Sequence, residues 1–324
     1  MDARFDSLWR EKLEPWLAGL EQERRQAVRR LFIGLGAGAV LGPLAGFALG
    51  VQLEEPGLVL MGLFLGLAIG GGFGYQRLRG LRKQVKVRLN EGVAEVLDLR
   101  YALKPPTPRR FDTFCDLGLL PSWDRHSFED HFEGERQGCD FELYEAHLEE
   151  KRRSKNGTHY VTVFRGVLIR INFPRKVEGV TVITRDQGIF NGLEAFGRSF
   201  GKTKLERIRL VDPDFEKAFE VYGNDQVLAR YMLTPSFMER LIALEAALKG
   251  KNVRAAFDQD SGEGELLISA ETGNQFEAGS MFKPLADASR VERLVDELSR
   301  VIALLDLLVE PAKFGEDSLV EAKD

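Results

Sequence analysis

The chain has 324 residues, a formal net charge of -5 and two cysteines, Cys115 and Cys139. Without a net positive field it is not drawn as a whole to nucleic acid, so no nucleic-acid partner is expected. Two thiols outside a CxxC spacing make no disulfide framework, which favours a reducing compartment. Apolar character is unevenly spread: residues 31–75 contain no Lys or Arg and only two acids, Glu54 and Glu55.

Residues 1–30 carry Phe5, Trp9, Leu13, Trp16 and Leu20 at helical spacing. That pattern predicts an amphipathic juxtamembrane helix, either part of a stalk or lying flat on a leaflet. The interspersed acids and the length of the following apolar run fit a signal peptide poorly.

Residues 31–53 and 57–75 are uncharged runs, and a helix needs roughly 20 apolar residues to cross a bilayer. Both runs are rich in Gly, which in a water-exposed helix costs about 1 kcal/mol per residue. In lipid the helix is obligatory and Gly serves packing instead. Gly34, Gly38, Gly42, Gly46 and Gly50 recur every fourth residue in the first run, and Gly62, Gly66, Gly70 and Gly74 do so in the second. Each set therefore lies along one helix face. The spacing predicts a transmembrane hairpin over residues 31–76 with one row facing the other; rows joining separate chains into a homo-oligomer are the alternative. Pro43 falls mid-span, where a membrane helix tolerates a modest kink.

Arg24, Arg25, Arg29 and Arg30 precede the pair, and Arg77, Arg79, Arg82, Lys83, Lys86 and Arg88 follow it. Positive charge on short flanks stays in the cytoplasm, so both termini are expected inside and the short acidic turn outside. The same clusters suit anionic lipid headgroups. The spans contain no ionisable group of the kind a transporter needs for an ion path.

Residues 77–110 read as a basic helical stalk, with Leu78, Leu81, Val85, Leu89, Val93 and Val96 on one face, ending in the Pro-rich linker 104–110. Residues 111–310 follow as an α+β domain, and 311–324 as a polar tail. Asn156-Gly157 is a strong hairpin turn pair. After it, Val161, Val163, Val167, Ile169, Ile171 and Phe173 alternate with polar or small residues, with Gly166 expected to mark a bulge. Residues 141–150 are the expected partner strand, and further strands are expected near 180–184, 204–211, 253–257, 265–270 and 275–278. Short turns between them predict a mainly antiparallel sheet with packed helices. Asp212-Pro213 and Thr234-Pro235 each pair an N-cap with Pro at the first helical position. The first begins a helix with Phe215 and Phe219 on one face. The second puts Phe237, Leu241, Leu244 and Leu248 inward, with Gly250 as terminator. A last helix is expected over 284–309, with Val291, Leu294, Leu298, Val301, Leu305 and Leu308 inward, docked on the sheet rather than self-associating.

Several motifs fail on context. Gly197-Arg198-Ser199-Phe200-Gly201 matches G-x-S-x-G, but a strand pattern follows it and all four histidines lie upstream, the wrong order for that elbow. Gly201-Lys202-Thr203 lacks the glycine spacing and following helix of a P-loop. Cys115, His126, His131 and Cys139 lie near one another without a CxxC knuckle, in a segment whose acids (residues 124–135) suggest a solvated loop. No metal and no cofactor are expected.

The stretch from Asp212 to Pro235, DPDFEKAFEVYGNDQVLARYMLTP, resembles a bacterial membrane family catalogued as domain of unknown function 3137. Phe164-Arg165-Gly166 before a long strand, and Glu133-Gly134 upstream, fit the same pattern. The resemblance covers residues 111–309, and departs from it at Leu228, where an acid is common. It implies a bacterial inner-membrane protein with an N-terminal membrane hairpin, and it implies no reaction. Asp225, Gln226, Arg230 and Tyr231 are the polar heart of the stretch and hence the candidate binding residues. The plainer reading is that they tie two helices together, with Arg230 paired to Asp225 or another acid. The sequence thus predicts a membrane-anchored protein whose cytoplasmic domain is a non-catalytic interaction or ligand-sensing module with a protein partner. The alternative is a membrane-bound hydrolase with a site around Ser199 and residues 124–135.

Overall fold

A computed structural model describes residues 3–105, 107–155, 157–173, 177–185, 205–260 and 263–309. The chain folds into two compact units: Met1–Val96 with Phe276–Leu294, and Leu97–Gln275 with Val295–Asp324.

The first unit begins with helix α1 (Ala3–Leu8), a π-helical turn (Trp9–Leu13) and α2 (Glu14–Leu53), followed by α3 (Leu58–Val96). At about 1.5 Å per residue, α2 and α3 are each about 60 Å long, and both are long and apolar enough to cross a membrane. A left-handed Glu54 (φ 55°) closes α2, its backbone N–H donating to the Gly50 carbonyl. Pro43 lies inside α2 without ending it.

The expected face Phe5, Trp9, Leu13, Trp16, Leu20 is corrected in part. Phe5 and Leu13 are buried, Trp9, Trp16 and Leu20 are only half-buried, and Leu8 and Leu17 complete the buried stripe. The π-helical turn supplies the reason, because its wider repeat puts Leu13 five residues after Leu8 in the same stripe. After the second apolar run, Leu78, Leu81, Val85, Leu89, Val93 and Val96 are all buried.

Along the apolar parts of α2 and α3 the backbones nearly touch. A Cβ placed on Gly34 would lie 2.3 Å from the Gly70 carbonyl oxygen, one on Gly38 2.1 Å from that of Gly66, and one on Gly42 2.2 Å from that of Gly62. Gly46 faces the Leu58 carbonyl at 2.2 Å, and Gly74 faces the Leu31 Cα at 2.4 Å. These distances admit hydrogen and nothing larger. Gly50 sits at the turn, against the Glu55 carbonyl at 2.9 Å.

The second unit is built on a sheet whose nine strands among the described residues run in the order β1-β2-β3-β4-β9-β8-β5-β7-β6. They are β1 (Arg100–Ala102), β2 (Arg125–Arg136), β3 (Cys139–Ser154), β4 (Gly157–Phe173), β5 (Thr181–Arg185), β6 (Glu206–Ile208), β7 (Phe219–Gly223), β8 (Lys251–Asp260) and β9 (Glu263–Glu271). Every pairing is antiparallel. Among the described residues five helices accompany them: α4 (Phe111–Asp116), α5 (Pro213–Ala218), α6 (Gln226–Met232), α7 (Pro235–Ala247) and α8 (Ala288–Val309).

One sheet face carries Tyr144, Leu148, Phe164, Leu168, Val182, Ala256 and Leu267, and the segment with Phe111, Phe114, Leu119 and Leu120 covers it. Ser269 Oγ donates to the Leu119 carbonyl (2.8 Å), fixing that cover. On the other face Phe237 of α7 meets Phe257 (ring centroids 5.3 Å apart). There the later turns of α8 lie beside α7, with Lys249 paired to Glu297 at 2.8 Å. Because both faces are covered, β9 is buried almost throughout rather than alternating.

Several expectations need correction. The acidic segment 124–135 is not a loop but forms most of β2. Its partners on β3 accommodate the charges at a sheet rim, and a register shift between Glu129 and Phe132 disturbs the alternation that would have marked a strand. Residues 275–278 form no strand. The helix from Asp212 stops after one and a half turns, and Phe219 opens β7, although it still stacks on Phe215 (4.9 Å). Lys249 (φ 48°), not Gly250, takes the left-handed position after α7.

Gly166 is no bulge either. It pairs regularly with Ala146, and the shift lies three residues earlier at Val163, where Phe164 and Thr162 face the adjacent Leu148 and Glu149. Glycine is needed at 166 because a Cβ would lie 1.9 Å from the Ala270 carbonyl oxygen. Gly166→Val should therefore destabilise the protein by about 2 kcal/mol, the middle of the range for overpacking a tight site. Thermal unfolding of the detergent-purified protein checks this, and an unchanged Tm would contradict it.

Candidate functional site at the base of the helical hairpin

Segment 276–287 runs without regular structure into α8 and belongs to the same unit as α2 and α3. A backbone that forms no ladder must place its polar groups elsewhere, and here side chains of α2, α3 and α8 take them. Asn90 donates to the Phe276 carbonyl (3.0 Å), and Arg24 Nη1 donates to the Met281 carbonyl (3.0 Å). Arg290 donates to the carbonyls of Ala278 (2.7 Å), Ser280 (2.5 Å) and Lys283 (3.2 Å). The Leu285 N–H donates to Glu21 Oε2 (3.1 Å). Gly279 needs its positive φ of 77° and its lack of a side chain, since a Cβ would meet the Arg290 guanidinium at 3.2 Å.

Charge locks the same segment. Glu277 accepts from Arg82 (2.7 Å) and Lys86 (3.0 Å). Burial alone would raise its carboxyl, but those two cations hold it below the usual range. Glu21 is lowered to about 2, first by the Arg24 guanidinium, with burial opposing and the Leu285 N–H and Arg25 assisting. Three residues of the basic flanks are thus committed to ion pairs within the protein: Arg24 and Lys86, both buried, and Arg82, which stays exposed. Arg29, Arg30, Arg77, Arg79 and Lys83 are exposed. Beside the segment lies a cavity of about 280 Å³, lined by Tyr75, Leu78, Arg79, Arg82 and residues 279–282.

The sequence pattern pointed elsewhere, to Asp225, Gln226, Arg230 and Tyr231. Asp225 is the N-cap of α6, accepting from the N–H groups of Val227 (2.8 Å) and Leu228 (3.0 Å). Arg230 does not pair with Asp225: it reaches the Gln226 side chain (3.3 Å) and the Arg209 carbonyl (3.5 Å). Tyr231 is exposed. All four residues are exposed.

A buried ionic network lies on the sheet of the second unit. Glu265, fully buried, sits between Arg170 (2.6 Å) and Arg110 (2.8 Å), while Arg170 also reaches Glu142 (3.5 Å). Such a network stabilises little against an apolar replacement but is costly to break on one side. His131 faces Glu142 at 3.7 Å, and His126 lies among Phe111, Trp123 and Phe128. Trp123 Nε1 donates to the Cys115 sulfur at 3.4 Å. Among the described residues no group of three or more His, Cys, Asp or Glu is placed to hold a metal ion. Ser199, Gly197 and the Gly201-Lys202-Thr203 stretch lie outside the described residues.

The segment-holding residues Glu21, Arg24, Glu277 and Arg290 were not singled out by the sequence. Arg24 left a trace: it falls three residues before Ala27 and seven before Leu31, on the buried stripe of α2. A depressed carboxyl contributes stability that is present above its unfolded value and lost as pH falls through its folded value. For Glu21 that window runs from about 4.5 down to about 2. Glu21→Gln should remove this part of the acid dependence of Tm, so wild-type and variant curves converge toward pH 2; parallel curves would contradict the assignment.

No curated protein matches the chain significantly. Among solved structures, the crystal structure of the mycobacterial trehalose monomycolate transport factor A, TtfA, is similar with a TM-score of 0.32 and 9% identity, over 69% of this chain and 97% of that one. Residues 162–309 match the family described as protein of unknown function (DUF3137).

Proposed function

We propose that the protein is anchored in a bacterial inner membrane by α2 and α3, with both termini in the cytoplasm. Its α+β unit is a non-catalytic interaction or ligand-sensing module. The observation that carries the anchor is the pairing of tight glycine rows with wide-open apolar faces. Phe64 and Phe73 are 70% and 75% exposed, and Leu41, Phe47, Val51 and Leu60 are exposed beside them. A water-soluble helical pair would bury such side chains, whereas lipid leaves no hydrophobic gain in doing so and rewards close backbone contact instead. Contact between the rows within one chain favours a self-contained hairpin over a homo-oligomer joined through them.

The charge pattern supports the orientation. Exposed Arg29, Arg30, Arg77, Arg79 and Lys83 cluster at one end of the apolar runs, and Glu54 and Glu55 mark the other. That basic end suits anionic headgroups. The module reading rests on a covered antiparallel sheet whose buried charges pair with one another. Its partner-facing candidates are the exposed Arg230 and Tyr231 on α6.

Alkaline carbonate should leave the protein in the membrane pellet, and alkaline phosphatase fused after Asp324 should be inactive. Release by carbonate would contradict the anchor, and an active fusion would contradict the orientation. For the module, a photoreactive residue in place of Tyr231 should give a discrete protein adduct in native membranes that Arg230→Glu abolishes. An adduct unaffected by that change would place the partner surface elsewhere.

A further inference from the structure

Phe282 is a large apolar side chain left 58% exposed on a segment that is otherwise tightly held. Its neighbours on both sides are fixed: Met281 is buried with its carbonyl on Arg24, and the Lys283 carbonyl accepts from Arg290. The exposed ring is therefore presented by a rigid backbone and is not the tip of a free loop. It sits 6.3 Å from the ring of Phe32, itself 60% exposed at the start of the first apolar run of α2. Tyr75, at the end of the second run, is also exposed and lines the same cavity as Phe282.

Three aromatic side chains from three separate stretches thus lie at one level of the hairpin, where the uncharged runs meet the basic flanks. Aromatic rings with apolar bodies favour this boundary of a bilayer. The charges around them have the complementary sign: Arg79 lines the cavity, and Lys283 stands exposed next to Phe282. An anionic leaflet attracts such groups within about a Debye length, about 8 Å at physiological salt.

We propose that segment 279–283 is a membrane-interface anchor. Phe282 enters the acidic inner leaflet beside Phe32 and Tyr75, while Arg79 and Lys283 meet its headgroups. The inference rests on α2 and α3 spanning the bilayer, and adds a third point of contact supplied by a stretch about 200 residues further along the chain. The buried hydrogen bonds from Arg24, Arg290 and Glu21 acquire a purpose on this reading, which is to hold the ring at a fixed depth.

The test places an environment-sensitive fluorophore on a single cysteine in the full chain lacking Cys115 and Cys139. The protein is reconstituted in vesicles of equimolar phosphatidylcholine and phosphatidylglycerol. Probes at Phe282→Cys, at Phe47→Cys within the span and at the exposed Glu91→Cys, 16 residues beyond Tyr75 on α3, are compared. Lipids carrying a nitroxide near the headgroup should quench the probe at 282, lipids with a deep nitroxide should quench the probe at 47, and neither should quench the probe at 91. Lys283→Glu should weaken quenching at 282 in the mixed vesicles and leave it unchanged in phosphatidylcholine alone. A quenched probe at 47 with an unquenched one at 282 overturns the interface anchor and leaves the spanning hairpin intact. Loss of quenching at both positions overturns the hairpin as well. Equal quenching at 282 with and without Lys283→Glu overturns the headgroup contact.

Discussion

The first unit depends on one constraint: the carbonyl of a glycine on one long helix lies where the side chain of a glycine on the other would be. Three such pairs, Gly34 with Gly70, Gly38 with Gly66 and Gly42 with Gly62, together with Gly46 against the Leu58 carbonyl and Gly74 against the Leu31 Cα, leave no room for a methyl group. At that distance the contact is backbone against backbone, and dispersion acts over the whole length of the two helices. The consequence is geometric: the large side chains have no place in the seam and point away from it. That outward apolar surface motivates the proposed bilayer anchor, and the exposed basic residues at one end of it motivate the proposed orientation.

Below the apolar runs the contacts change in kind. Charges on the inner stripes of α2 and α3 are paired with a segment from far along the chain, through Arg24, Lys86, Asn90 and Glu21. A single break there leaves a buried donor or acceptor without its partner, which costs more than the bond itself contributes. The segment 276–287 is consequently as well fixed as a regular element, although it has no ladder of its own. Its irregular backbone allows Phe282 to be presented outward while Met281 and Leu285 face in.

Much of this architecture was legible in the sequence, where the pattern was periodic. The four-residue glycine steps, the capping pairs Asp212-Pro213 and Thr234-Pro235, and the three-four spacing of the last helix each have a single physical meaning. The hairpin about residues 156 and 157 was equally plain, with Ser154 facing Gly157 in register. What was missed had its period broken or its meaning set by distant partners. β2 hid behind its acids and a register shift at Glu129, and the stripe of residues 5–20 was displaced by a π-helical turn. Gly166 looked like a bulge because nothing local reveals that the Ala270 carbonyl lies over it. Arg24 and Lys86 read as solvent-facing flank because their partners, Met281 and Glu277, are about 190 or more residues away. In the motif around Asp225 the expected Arg230–Asp225 pair is replaced by a cap, with Asp225 accepting from the first N–H groups of its own helix.

The central claim is that the two glycine rows meet within one chain. Leu35 and Gly71 flank the seam, where a Cβ on Gly71 would meet the Leu35 side chain at 2.9 Å. Cysteines at these two positions, on a background without Cys115 and Cys139, should form a crosslink within single chains in native membranes. Adding Gly38→Leu should abolish it, because the seam cannot close over that side chain. A crosslink that joins separate chains, or one that survives Gly38→Leu, would contradict the account.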